Sequence, residues 1–227
     1  DKSQYTKEQW KIVRDKRRQE KKEKALAQER IVEEKKRTEE WQRLYGETII
    51  EKTPQNYVMC LKHGSKYSHK YVNTLYSMVK RNLTIPHKFV CLTDDPKGID
   101  KDIKILPLPK ELTGWWCKPY MYSADLPLAF DSTILYMDLD VVISGNLNKL
   151  FEYETNNWCV IRDFTRAMQP KWEKYNSSVV RFKLGELRHV WEDFIKDPKK
   201  IIQSHFGDQD WLWTSAKGTA KTWPDEW

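Results

Sequence analysis

No apolar run in this chain approaches the roughly 20 residues that a bilayer-crossing helix needs, and its first residues do not read as a secretion signal, so the sequence predicts a soluble, cytoplasmic protein. Cysteine is sparse. Cys60, Cys91, Cys117 and Cys159 stand singly, mostly among apolar neighbours, without CxxC or His-pairing spacing, which argues against a zinc site and predicts buried thiols in a reducing compartment. A chain of 227 residues has length enough for a full core without cross-links. Without a secretory signal, the sequons at Asn82 and Asn176 read as chance.

Proline and glycine are missing from residues 1–45, a stretch rich in strong helix formers, which predicts one continuous helix. At 1.5 Å per residue it would span on the order of 65 Å. It carries 15 Lys and Arg against 10 Asp and Glu, so most of the chain's net +7 belongs to this arm. Opposite charges four apart, such as Glu20 with Lys24 and Glu33 with Arg37, support a solvated helix. A 3.5-residue count finds only Trp10, Val13, Ala27, Ile31 and Trp41 on a seam, too thin for an autonomous coiled coil. Two readings stay open: a solvated extension, or an anchor through residues 1–45 into a larger assembly. Nucleic acid is disfavoured as a partner because acids interleave with the bases and would repel phosphates.

Residues 1–50 thus form the expected arm and 51–227 a domain. From residue 55, short apolar runs alternate with amphipathic stretches, the texture of an α/β fold. "YVMCLKH", "KFVCLTDD", "DIKILPLP", "STILYMD", "WCVIRDF" and "SSVVRFK" read as strands. Between them lie a helix capped by Ser68, a helix over "WCKPYMYSADLPLAF" disturbed by Pro119 and Pro127, one over "GELRHVWEDFIKD", and one over "DQDWLWTSA" with Asp208 at its cap. The order predicts a mostly parallel sheet that gathers ligands beyond its strand carboxyl ends.

The strand "ILYMDLDVVISGNL" sets Asp138 and Asp140 two apart, so in extended chain both point to one side. Their mutual repulsion is relieved by Mg²⁺ or Mn²⁺, which accept carboxylate oxygens and keep positions open for a diphosphate. The plainer reading is that the pair ends a strand and solvates it.

Together, "ILYMDLDVVISGNLNKLF", "YNSSVVRF" and "FGDQDWLW" resemble the DxD-containing GT-A glycosyltransferases, in particular the glycogenin-like and lipopolysaccharide galactosyltransferase-like group; "YVMCLKHGSKYSHKYVNTLYSMVKRN", "FVCLTDDP" and "GWWCKPY" are similar to a bacterial and phage branch. The resemblance covers residues 55–227. It implies a GT-A fold with Asp138 and Asp140 on a Mn²⁺ or Mg²⁺ ion, and Asp138 with Leu139 beside a nucleotide sugar donor, expected to be a UDP-sugar. It implies base and ribose contacts from Leu61, Lys62, His63, Gly64, Tyr67 and Asp94, and a diphosphate or donor-sugar contact from Lys118. Asn176, Asp208 and Gln209 would lie at the reacting sugar, with retention of configuration. The acceptor is unspecified. Several residues keep a structural alternative: His63 as a hydrogen-bonded strand end, Asp94 as a turn, Lys118 as a snorkelling lysine, Asn176 as a local backbone partner, and one of Trp115 and Trp116 as core.

The group's HxxGxxKP segment, whose histidine completes the metal site, has no match before "TWPDEW", so the domain is expected to lack its C-terminal segment. The setting implied is a bacterial or phage-infected cell, with the protein associated with a larger particle if the arm is an anchor. The competing readings are an assembly protein with a vestigial transferase domain, docked through the N-terminal helix, and a nucleotidyltransferase.

Overall fold

A computed structural model of the chain describes residues 11–22, 24, 25, 28, 32 and 53–227. Residues 11–22 are helical, as are 24, 25, 28 and 32; the rest of the expected arm, including the Glu33 and Arg37 pair and the outer seam residues Trp10, Ala27, Ile31 and Trp41, lies outside the described residues. The chain divides into one unit of residues 1–48 and another of 49–227, and the second carries the sheet.

That sheet has seven strands in the order β3-β2-β1-β4-β6-β5-β7. They are β1 (Asn56–Lys62), β2 (Lys88–Thr93), β3 (Lys104–Pro107), β4 (Thr133–Met137), β5 (Cys159–Arg162), β6 (Tyr175–Lys183) and the two-residue β7 (Lys221–Thr222). The pairings of β1 with β2 and β4, of β2 with β3 and of β5 with β7 are parallel; β6 runs antiparallel to β4 and β5. The helices are α1 (His69–Asn82), α2 (Asn148–Glu152), α3 (Arg188–Lys196), α4 (Pro198–Ser204) and α5 (Asp208–Ala216), with 3-10 helices at Gly114–Tyr122 and Phe164–Ala167.

The near-continuous apolar character of β1, β2 and β4 follows from burial on both faces. Alternate residues feed opposite cores: Tyr57 and Met59 pack in one with Val90, Ile134 and Phe194, whereas Val58 and Cys60 pack in the other with Val72, Leu75 and Val79 of α1. All four cysteines are buried and free. Burial pushes the Cys117 thiol up to about 12 and that of Cys159 to about 11, so neither supplies a thiolate at neutral pH.

Three elements depart from the sequence reading. The expected helix over 116–130 is a shorter 3-10 helix, since Pro119 lacks the N–H that an α-helix would use. The helix read over 185–197 is α3, and an unexpected second helix follows it, because the Asp197 carboxylate accepts from the Lys200 N–H and starts α4 with Pro198 in its first turn. Gly207 is the cap of α5, so Asp208 is its first residue, and the Asp208 side chain bonds elsewhere.

In β6 the register slips: Val160 pairs with Val180, but Ile161 pairs with Asn176. This bulge over 177–179 changes the parity of the strand, so that Tyr175, Val180 and Phe182 all enter the same core. Next to it, the buried Arg181 guanidinium donates to the carbonyls of Leu150, Phe151, Tyr153, Glu154 and Asn157 and fixes the turn between α2 and β5. Arg181→Met would strand these acceptors. A loss of about 3 kcal/mol or more is expected in denaturant unfolding, and Arg181→Lys should recover little because one ammonium cannot reach the same fan. Wild-type stability in the lysine variant would contradict this.

Candidate active site

Strand order turns back between β1 and β4: β2 and β3 lie on one side of β1, and β4 on the other. Crevices at such points collect ligands. Here the segments after β1 and β4 meet the 3-10 helix Gly114–Tyr122 and the start of α5 around a cavity of about 850 Å³.

The alternation of β4 carries only as far as Asp138; the extended chain expected through Asp140 is instead a turn at Leu139 and Asp140. Tyr136 and Asp138 share a side, and the buried Tyr136 hydroxyl donates to Asp138 Oδ1 at 2.7 Å. Burial first, then the Asp138 charge, holds the Tyr136 phenol far above its usual pKa, so it stays a donor. The Asp138 N–H still pairs with Ser178 O, at 2.9 Å, and the chain then turns with Val141 N–H on Asp138 O. Asp140, exposed at the rim, accepts a 2.7 Å bond from the Tyr67 hydroxyl. That bond is the main reason the Tyr67 phenol is raised.

Lys118 Nζ lies 2.8 Å and 2.9 Å from the two Asp138 oxygens, 3.1 Å from Ser177 Oγ and 3.5 Å from Asp208 Oδ2. Its side chain is 11% exposed. Burial works against its charge, but Asp208 and Asp138 outweigh burial and raise its pKa. Ser177 accepts from Lys118 and donates its hydroxyl to Asp208 Oδ2 at 2.7 Å. One ammonium therefore serves two carboxylates. Burial is the main cause that lifts Asp208 above the usual carboxylate range; Lys118 and Ser177 oppose it, and the Asp138 charge adds to it.

A carboxyl that binds its proton more tightly folded than unfolded costs stability as pH rises from its unfolded value through its raised one. Asp208→Asn removes that cost. The melting temperature of the variant, relative to the parent, is expected to climb from about pH 4 toward neutrality. Parallel curves would argue against a strained Asp208.

Gln209 is fixed at both ends: its Oε1 accepts the Ser177 N–H at 3.2 Å and its Nε2 donates to Asp163. Burial alone would raise Asp163, but donors from Thr165, Trp172 and Gln209 prevail and hold its carboxyl below the usual range. Asp210 serves other partners, Lys174 Nζ and the Phe206 N–H.

Of the residues singled out from sequence, Leu61, His63, Gly64, Tyr67, Lys118, Asp138, Leu139, Asp140, Asp208 and Gln209 line the cavity. Lys62, Asp94 and Asn176 do not. Lys62 alternates to the other side of β1 from Leu61, is 4% exposed, and donates to Asp95 O at 3.2 Å. Asp94 accepts the Gly64 N–H at 3.0 Å and stands 3.9 Å from His63 Nε2. Asn176 Oδ1 accepts the Ser178 N–H at 2.9 Å, the local bond that its structural alternative predicted. His63 itself uses Nδ1 to accept the Gly114 N–H at 3.2 Å, so its neutral ring carries the proton on Nε2. Tyr136, Asp163, Lys174 and Ser177 complete the site. Tyr136 was legible as the residue two before Asp138; Asp163 has no local signal, since it meets Gln209 across 46 residues.

Side chains lining the cavity include four carboxylates, Asp138, Asp140, Asp208 and Asp210, against three ammonium groups, Lys66, Lys118 and Lys174. Among the described residues no cluster of three or more His, Cys, Asp or Glu is arranged to hold a metal, and none of their helices is long and apolar enough to cross a membrane.

No protein-family model and no curated protein matches the chain. Solved structures do. The glycosyltransferase GlyE of Streptococcus pneumoniae TIGR4 is 15% identical with a TM-score of 0.58, over 77% of this chain and 46% of that one. The galactosyltransferase LgtC, solved with donor and acceptor sugar analogs, is 16% identical with a TM-score of 0.55, over 73% of this chain and 72% of that one. An active-site mutant of LgtC gives 14% and 0.55 over the same shares. The chain spans a little under half the length of GlyE. At these identities the likeness is one of fold, and the fold is that of the GT-A glycosyltransferases.

Proposed function

We propose that this chain is a metal-dependent glycosyltransferase that moves a sugar from a nucleoside-diphosphate donor, a UDP-sugar in our reading, to an acceptor hydroxyl with retention of configuration. The observation that carries it is the placing of Asp138 and Asp140 beyond β4, facing the same cavity as Lys118, Asp208 and Gln209. A dianionic ligand cannot settle among four carboxylates and three ammonium groups unaided.

Two carboxylates suit Mg²⁺ or Mn²⁺ when the remaining positions go to diphosphate oxygens and water. Asp138 and Asp140 would hold the ion, and its charge would offset that of the leaving diphosphate. Lys118, held by Asp138, Asp208 and Ser177, adds a second cation aimed at the same charge. Asp208 would accept from a donor-sugar hydroxyl. Gln209, fixed by Ser177 and Asp163, would present its amide beneath the reacting carbon.

With Asp138 and Asp140 given to the ion, the other two carboxylates lining the cavity are already engaged: Asp208 with Lys118 and Ser177, Asp210 with Lys174 and the Phe206 N–H. Inversion would need one of them as general base for the acceptor. Retention asks for none. The acceptor oxygen bonds to the anomeric carbon on the face the diphosphate leaves, and its proton passes to the departing diphosphate oxygen.

Product analysis tests the reading. Incubation with UDP-sugars and Mn²⁺ is expected to release nucleoside diphosphate. Pyrophosphate release from UTP and a sugar 1-phosphate, with no nucleoside diphosphate released from any UDP-sugar, would overturn it in favour of nucleotidyl transfer.

A further inference from the structure

Read along the chain, the acids of the arm interleave with its bases; wound into a helix, they part. Residues 11–22, 24, 25, 28 and 32 are helical and exposed, apart from the half-buried Val13. At about 100° per residue, Lys24, Arg17, Lys21, Arg14, Arg18, Lys11 and Lys22 project in that angular order across an arc of about 160°. Among the described residues only Gln28, Val32 and Ala25, all neutral, share the arc. Asp15 lies roughly 20° beyond one edge and Glu20 roughly 40° beyond the other. The face is therefore purely cationic, and Lys16 is the one described base of the arm outside it.

Among the described residues no ion pair engages any of these seven cations, and the pairing expected of Glu20 with Lys24 does not form. Arg14 with Arg18, Arg17 with Lys21 and Arg18 with Lys22 are like charges four apart, an arrangement that destabilises a helix standing alone. An anionic partner relieves that repulsion. Two features choose the partner. Ile12 and Val13 lie about 100° apart and make no apolar face, so this helix has nothing to insert between lipids. The cations also cover almost half the circumference: a flat anionic surface touches only a narrow stripe of a helix, whereas a groove meets an arc.

The major groove of B-form DNA is about 12 Å wide, admits a helix of about 10–12 Å with its side chains, and is walled by phosphates on both sides. From Lys11 to Lys24 the cations run about 20 Å along the axis, beside a duplex that carries one negative charge per ~1.7 Å. We propose that this face docks in the major groove of duplex DNA and holds the protein there through backbone phosphates, independently of base sequence. The three arginines on the face add bidentate donors that suit phosphate. The proposal goes beyond the transferase reading and uses no residue of its cavity.

The test is fluorescence anisotropy of a labelled DNA duplex of about 20 base pairs, titrated with the full chain. Binding is expected at about 50 mM salt and should weaken about 500-fold by about 200 mM, as contact with about five phosphates requires. The triple variant Arg14→Gln/Arg17→Gln/Lys21→Gln keeps helix propensity and should lose at least about tenfold in affinity, with the slope of log K against log salt reduced by about 3. Lys101→Gln/Lys110→Gln/Lys217→Gln removes the same charge from exposed positions of the domain and should leave affinity within about twofold. Absence of duplex binding at about 50 mM salt overturns the proposal. Equal weakening by the two triple variants does so as well, since net charge would then account for the binding. So does tighter binding to phosphatidylserine vesicles, or to duplex RNA, whose deep and narrow major groove excludes the helix.

Discussion

Asp140→Asn is expected to abolish metal-dependent donor binding with the domain intact. Asp140 is exposed and bonded through one oxygen to the Tyr67 hydroxyl, a bond that an asparagine carbonyl can also accept. The stability cost should stay within about 0.5 kcal/mol, as for other surface changes. A hard divalent ion, however, loses a charged ligand where only two are on offer, and donor affinity in Mn²⁺ should fall at least ~100-fold, or about 2.7 kcal/mol. Calorimetry alongside thermal melting separates the two effects. An unchanged donor affinity in a folded variant would sink the metal assignment.

Lys118→Met has the second large effect, and on two properties at once. The substitution leaves Asp138 and Asp208 facing each other with no counter-charge, and the Asp208 side chain is only 12% exposed. Breaking a buried pair from one side costs about 3–5 kcal/mol, which for a domain of this size lowers the melting temperature by roughly 10 °C. Among the described residues the same lysine is the only cation bonded to both acids, and turnover should fall about 10³-fold. The double variant Lys118→Met/Asp208→Asn separates stability from chemistry: it should recover most of the lost stability and none of the turnover. If it stays as unstable as the single variant, the strain does not reside between these carboxylates.

Much of the domain was legible because its signals are local. The apolar runs of β1, β2 and β4 mark strands buried on both faces, and α1 shows its core face at Val72, Leu75 and Val79. The mostly parallel sheet follows from the order of elements, whereas Asp138 and Asp140 reach one cavity through the turn that follows β4 and not through the strand alternation expected for them. Less legible was anything that depends on distant segments meeting. The bulge at 177–179 exists through pairing with β5, and no feature of "YNSSVVRF" announces that two residues will oppose five. Arg181 reads as a surface charge in a strand until a turn some 30 residues earlier wraps around it. Lys62 and His63 look alike as polar ends of β1, yet alternation buries one against Asp95 and turns the other toward the cavity. Asp208 looked like a helix cap by position. Its tertiary partners, Lys118 and Ser177, claim the carboxylate instead.

The central claim is that the acids beyond β4 bind a nucleotide sugar through a divalent ion. Calorimetric titration of UDP- and GDP-sugars into the full chain, first with Mn²⁺ and then with chelator, addresses it most directly. The account predicts saturable binding of one donor, UDP-linked, that disappears when the metal is removed. Binding of no donor, or equal binding in chelator, would contradict it.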